Sequence, residues 1–156
     1  MARKPRIESS DGLYHVINRG NYRSSIFESE GARLSFERTL FEACERFGWH
    51  LQAYCLMSNH FHLILYAPSA PPQDEEASRR HAAFYPKRSP LVPGTDECRR
   101  VAARMADLSE FMGDLQQQFS VWFNQTRPER RRGSLWADRF KNTLLDSGRA
   151  LWACWA

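Results

Sequence analysis

The stretch Leu51-Gln-Ala-Tyr-Cys-Leu-Met57-Ser58-Asn59-His60-Phe-His-Leu-Ile-Leu-Tyr-Ala67 decides how this chain folds. Two apolar runs rich in strand-forming residues, 51–57 and 60–67, are parted by Ser58-Asn59, a pair suited to a tight turn, so the segment predicts a β-hairpin. Side chains alternate across a strand, so a second strand entered at His60 presents His60 and His62 on one face and Phe61 on the other. Two imidazoles then converge without any bend in the backbone. Neutral imidazole is a good ligand for borderline divalent metals. A pair that leaves coordination positions open can hold a phosphate oxygen and draw charge away from phosphorus. His60 and His62 are therefore candidate metal ligands for phosphodiester chemistry, although a bare His-x-His is common by chance.

Working outward, Leu13-Tyr-His-Val-Ile-Asn-Arg19 is rich in strand formers and stopped by Gly20-Asn21, which predicts a first strand. From Ser29 to Phe47 the period becomes helical, with Leu34, Leu40, Phe41, Cys44 and Phe47 as the expected inner side and Gly48 as the stop. The segment 68–95 holds six of the eight prolines and no clear period, so it reads as a long loop or flexible insertion. Cys98 to Asn124 repeats apolar residues at threes and fours and predicts one long amphipathic helix, with a break near Gly113. A strand-like segment lies between Leu135 and Leu145. Strand, helix, strand, strand, helix, strand is the order of an α+β sandwich, and a ferredoxin-like antiparallel sheet with helices on one face is the expected fold.

With 156 residues, 42% of them hydrophobic, including ten Phe and five Trp, the chain is expected to form a single domain with a substantial core. A net charge of +4 leans toward an anionic partner without identifying one. The four cysteines show no Cys-x-x-Cys pair and read as reduced packing thiols. A zinc site combining Cys55 with the two histidines lacks the second ligand pair that structural zinc usually has. No apolar run approaches the roughly 20 residues of a membrane span, and no secretory signal is evident; a cytoplasmic protein is expected.

Arginines cluster late in the chain. Arg127, Arg130, Arg131 and Arg132, followed by Arg139 and Lys141, offer forks for phosphates, with Trp136 as a nearby stacking surface. Arg19 and Arg23 flank the turn after the first strand and are further candidates for DNA contact. His15 is read as a hydrogen-bonded structural residue rather than a third ligand, and His50 and His81 as surface residues.

The blocks Tyr14-His-Val-Ile-Asn-Arg-Gly20, Tyr54-Cys-Leu-Met-Ser-Asn-His-Phe-His-Leu63, Phe123-Asn124 and Gly133-Ser-Leu-Trp-Ala-Asp-Arg-Phe-Lys141 resemble, in that order, single-tyrosine transposases of the HUH superfamily. The resemblance is to the REP-associated and insertion-sequence-200-like branches, and its most specific part is Met57-Ser-Asn-His-Phe-His62. It implies a nuclease that acts on single-stranded DNA beside a hairpin. In it, Mg²⁺ or Mn²⁺ is held by His60, His62 and a polar side chain of a later helix. A tyrosine of that helix forms a 5′-phosphotyrosine intermediate, which conserves the phosphoester energy for rejoining. In the REP-associated branch that tyrosine follows the block resembling Arg139 to Asp146, on a helix reading Tyr, three residues, Asn. Here the sequence stops at Ala156, so the nucleophile is expected beyond it and the domain to be C-terminally incomplete. The alternatives are a hairpin-binding remnant or domesticated module that does not cut, and a metal-stabilised structural domain. Monomer and homodimer both stay open.

Overall fold

The structure is a computed structural model that describes residues 11–128 and 133–145. Residues 1–10, Arg130 to Arg132 and the helix expected after Asp146 lie outside the described residues. The elements are β1 (Leu13–Arg19), a single 3-10 turn (Asn21–Arg23), α1 (Glu30–Phe47), β2 (His50–Leu56), β3 (His60–Tyr66), α2 (Asp74–Phe84), α3 (Asp96–Met105), α4 (Leu108–Gln125) and β4 (Lys141–Leu145). The strands form one sheet in the order β2-β3-β1-β4. All neighbours are antiparallel, and β1 lies between β3 and β4. This is the expected α+β architecture and the strand order of a ferredoxin-like sheet.

Alternation along the strands separates two faces. Tyr14, Val16, Phe61, Leu63 and Leu65 are fully buried on the face that meets the helices, whereas His15, Ile17, His60 and His62 lie half-buried on the other. α1 begins where Ser29 accepts a hydrogen bond from the Ala32 amide and ends at Gly48, whose left-handed backbone (φ 74°) suits glycine. Its buried side is the expected one only in part: Leu40 and Phe47 are buried and Cys44 packs against the core. Leu34 (58%) and Phe41 (48%) are exposed, and the inner stripe runs through Ala32, Phe36, Leu40, Ala43 and Phe47. That stripe also contains Arg46, which forms an ion pair with Asp114 of α4 and stacks on Phe47, Phe84 and Tyr85. A charged residue can face inward when a carboxylate and aromatic rings receive it, a tertiary pairing that a count of apolar positions cannot see.

The single helix expected over 98–124 is two. α3 stops at Met105, and Asp107 starts α4 by accepting hydrogen bonds from the Ser109 and Glu110 amides, at 2.6 and 3.0 Å. The break falls at this cap; Gly113 is an ordinary residue inside α4. The segment 68–95 is likewise not all loop. It carries α2, which buries Ala77 and His81 and is followed by the buried Leu91, so His81 is not at the surface (8% exposed). Between sheet and helices Phe27, Phe36, Phe61, Phe119 and Trp136 form a continuous aromatic cluster, with ring centroids 5.0 to 5.9 Å apart. Such pairs are worth about 0.5–1.5 kcal/mol each beyond area burial.

Candidate metal and nucleic-acid site

His60 and His62 share one face of β3, with ring centroids 5.1 Å apart. The turn before them is fixed from outside the hairpin. Ser58 O accepts from the amides of Ile26 and Phe27, both at 2.9 Å, and Asn59 O accepts from the amide of Gly20 at 2.8 Å. Asn59 also donates through Nδ2 to Arg23 O (3.4 Å), which orients its amide so that Oδ1 accepts from His60 Nδ1 at 2.7 Å. A proton on Nδ1 leaves Nε2 of His60 with a free lone pair, the tautomer a metal ligand needs.

His62 is engaged differently. Its Nδ1 lies 2.9 Å from His15 Nε2, and β1 pairs with β3 so that the two rings stack 5.2 Å apart. One of the two nitrogens must donate and the other accept, so at least one ring is neutral. Burial lowers the pKa of both histidines, and for His62 the neighbouring His15 and His60 lower it further. When His62 donates, its Nε2 is open to a metal. The donor set of two neutral imidazoles fits a divalent cation that takes its remaining ligands from water, phosphate or another side chain. Cys55 is paired with His62 across β2 and β3. Nevertheless, no group of three or more His, Cys, Asp or Glu is placed to hold a metal among the described residues.

Two grooves meet at His60. One, of about 350 Å³, is lined by His15, Cys55, Met57, His60, His62 and Ile64. The other, of about 460 Å³, is bounded by Arg19, Arg23, Asn59, His60, Arg139 and Lys141. Four of the cations singled out in the sequence are thus gathered beside a candidate ligand, and none makes an ion pair among the described residues. Their convergence depends on β4 lying against β1 and was not legible from spacing. Asn18 and Asn59, which also shape this groove, belong to the blocks that carry the family resemblance, but nothing in their spacing pointed to a place beside these cations. Arg127 is placed apart, over the Phe123 ring at 4.0 Å. Trp136 does not offer an open face. It is 8% exposed and donates through Nε1 to Ser120 Oγ (3.0 Å).

The five tyrosines lie in different settings around the sheet. Tyr14 is buried, and Tyr22 is 92% exposed on the turn after β1. Tyr54 pairs with Leu63, its ring meets Phe41 of α1, and the residue also lines the groove that holds His15, His60 and His62. Tyr66 shares the histidine face, but lies roughly 13 Å along the strand from His62. Its hydroxyl donates to Asp11, whose charge raises its pKa. Tyr85 belongs to the helical side of the molecule.

The four-stranded antiparallel sheet thus carries two neighbouring imidazoles on one face, beside a groove lined by four cations. Residues 8–74 match the family described as "Transposase IS200 like". The chain is also similar in fold to a REP-associated tyrosine transposase solved bound to a REP hairpin. The TM-score is 0.60 at 12% identity, covering 99% of this chain and 68% of that one. A Deinococcus radiodurans R1 protein assigned as a transposase gives a TM-score of 0.49 at 18% identity, covering 99% of this chain and 95% of that one. None of the curated proteins compared with the chain matches it. No helix among the described residues is long and apolar enough to cross a membrane.

Proposed function

We propose that this protein binds single-stranded DNA next to a hairpin and belongs to the machinery that cuts and rejoins it with a divalent metal, Mg²⁺ or Mn²⁺. The observation that carries this reading is the groove that places Arg19, Arg23, Arg139 and Lys141 beside His60. Cations there hold the strand through its phosphates, and the flanking imidazoles meet whichever phosphate lies at the groove's inner end. His60 and His62 would hold the metal, and Asn59 and His15 would orient their rings. The metal supplies Lewis-acid polarisation of the scissile phosphate. Cleavage through a 5′-phosphotyrosine also needs a tyrosine, and we read the five present as packing or base-stacking residues. We expect these 156 residues to bind DNA and to form no covalent adduct.

Titration of Mn²⁺ followed by electron paramagnetic resonance tests the metal half of the reading. The wild type should show one specific site, which the His60→Ala, His62→Ala variant should lose. Equal binding by both proteins would refute it. A denaturation-resistant protein–DNA band from the wild type would show that one of the five tyrosines attacks after all.

A further inference from the structure

A second cavity of about 500 Å³ opens on the helical side, between α1, α2, α3 and α4, where the function proposed above has no use for it. Its centre is Tyr85, just after α2. The Arg88 guanidinium lies over the Tyr85 ring at 4.5 Å, Arg46 is 5.7 Å from the same ring, and the His81 ring is 5.2 Å away. Arg46 and His81 are more than nine-tenths buried (7% and 8% exposed) and both line the cavity. Among the described residues, each also keeps one buried nitrogen without a hydrogen-bond partner, Nε of Arg46 and Nδ1 of His81. Buried polar atoms normally find partners, because leaving one unmade costs on the order of 1–3 kcal/mol. Arginine has only donors, so the unpartnered Arg46 Nε–H calls for an acceptor near this ring.

Charge narrows the acceptor's chemistry. The lining holds three guanidiniums, of Arg46, Arg88 and Arg104, against the carboxylates of Glu110 and Asp114. Asp114 is taken by Arg46 and Glu110 by Arg104, the latter at 2.7 Å. Arg88 makes no ion pair among the described residues and is held in place by the ring beneath it. One cation is therefore uncompensated, and it lies beside a buried guanidinium N–H that lacks an acceptor among the described residues. An oxyanion with several acceptor oxygens answers both. A fork of guanidinium N–H groups fits phosphate oxygens better than any neutral acceptor.

We propose that this cavity is a phosphate-ester site, filled by a nucleotide's phosphate or by a backbone phosphate of DNA passing over the helical side. His81, Tyr85 and Arg88 come from the proline-rich segment 68–95, so the part of the chain that interrupts the family resemblance supplies the unpaired cation to a cavity otherwise lined by α1, α3 and α4. It needs neither histidine of β3, and its existence does not depend on the metal reading.

The test follows the Arg46 Nε–H and His81 ring resonances by ¹H–¹⁵N spectroscopy during titration with thymidine 5′-monophosphate, thymidine and a thymidine pentanucleotide at fixed ionic strength. The monophosphate should shift both resonances saturably, and uncharged thymidine should not. Arg88→Ala, an exposed position that leaves the buried pair intact, should weaken the response at least tenfold. Saturation by the pentanucleotide at equal or lower concentration assigns the site to a DNA strand, and response to the monophosphate alone assigns it to a free nucleotide. The His60→Ala, His62→Ala variant should titrate like the wild type, so a failed metal assignment and a failed phosphate assignment would be told apart. The proposal is overturned if thymidine shifts the resonances as much as its phosphate, if Arg88→Ala changes nothing, or if no probe moves them, in which case water alone satisfies the two nitrogens.

Discussion

Replacing Arg19, Arg23, Arg139 and Lys141 with alanine removes four positive charges from the groove beside His60. Each cation that neutralises a phosphate releases condensed counterions, so log affinity for a single strand falls with log salt by about 0.7 per contact. Four contacts give a slope near −2.8, and raising monovalent salt from about 50 to about 200 mM should weaken binding roughly 50-fold. Arg19→Ala with Arg23→Ala should halve the slope to about −1.4, leaving a salt effect of only about 7-fold. All four side chains are at least partly exposed and none holds an ion pair among the described residues, so the variants should fold like the wild type. The assay is fluorescence anisotropy of a hairpin with a single-stranded flank, repeated at several salt concentrations. If the quadruple variant keeps the wild-type slope, the strand does not run through this groove, and the placement of His60 beside it has no bearing on DNA.

Three further outcomes are expected. Asn59→Ala removes the acceptor that keeps the proton on His60 Nδ1; Mn²⁺ affinity should drop by about 10- to 100-fold in the same resonance titration, as for lost outer partners of metal ligands. A Cβ on Gly20 would meet the Ser24 carbonyl oxygen at 2.5 Å, backbone that cannot swing aside, so Gly20→Ala should cost about 1–3 kcal/mol in urea unfolding. Burial first and Glu45 second push the Cys44 thiol up to about 12, so it remains protonated at pH 8 and should react with iodoacetamide only as pH nears that value. Exposed Cys55 should label readily at pH 8, and peptide mapping reads the two sites separately.

Features that rest on local rules were legible in the sequence. β1 occupies the expected 13–19, α1 has the expected Ser29 and Gly48 caps, and the hairpin brings His60 and His62 to one face, because strand alternation and capping act over a few residues. The readings that changed depend on tertiary partners. The inner side of α1 is set partly by Asp114, which receives Arg46 from 68 residues away. The α3–α4 break is set by the Asp107 cap, visible in principle as an Asp ahead of an apolar run but masked by the unbroken helical period around it. Trp136 combined a stacking-prone ring with nearby arginines, yet the aromatic cluster under the sheet claims it. Helix α2 hid among prolines, which here stand before and after the helix and not within it.

The loop from Gly20 to Phe27 grips the Ser58-Asn59 turn through three backbone hydrogen bonds, and the Asn59 side chain returns one to Arg23. A ligand arriving at His60 thus meets a surface already set, with no chain to freeze and little conformational freedom to surrender. Slow amide exchange at Gly20, Ile26 and Phe27 in the ligand-free protein would be the signature of that readiness.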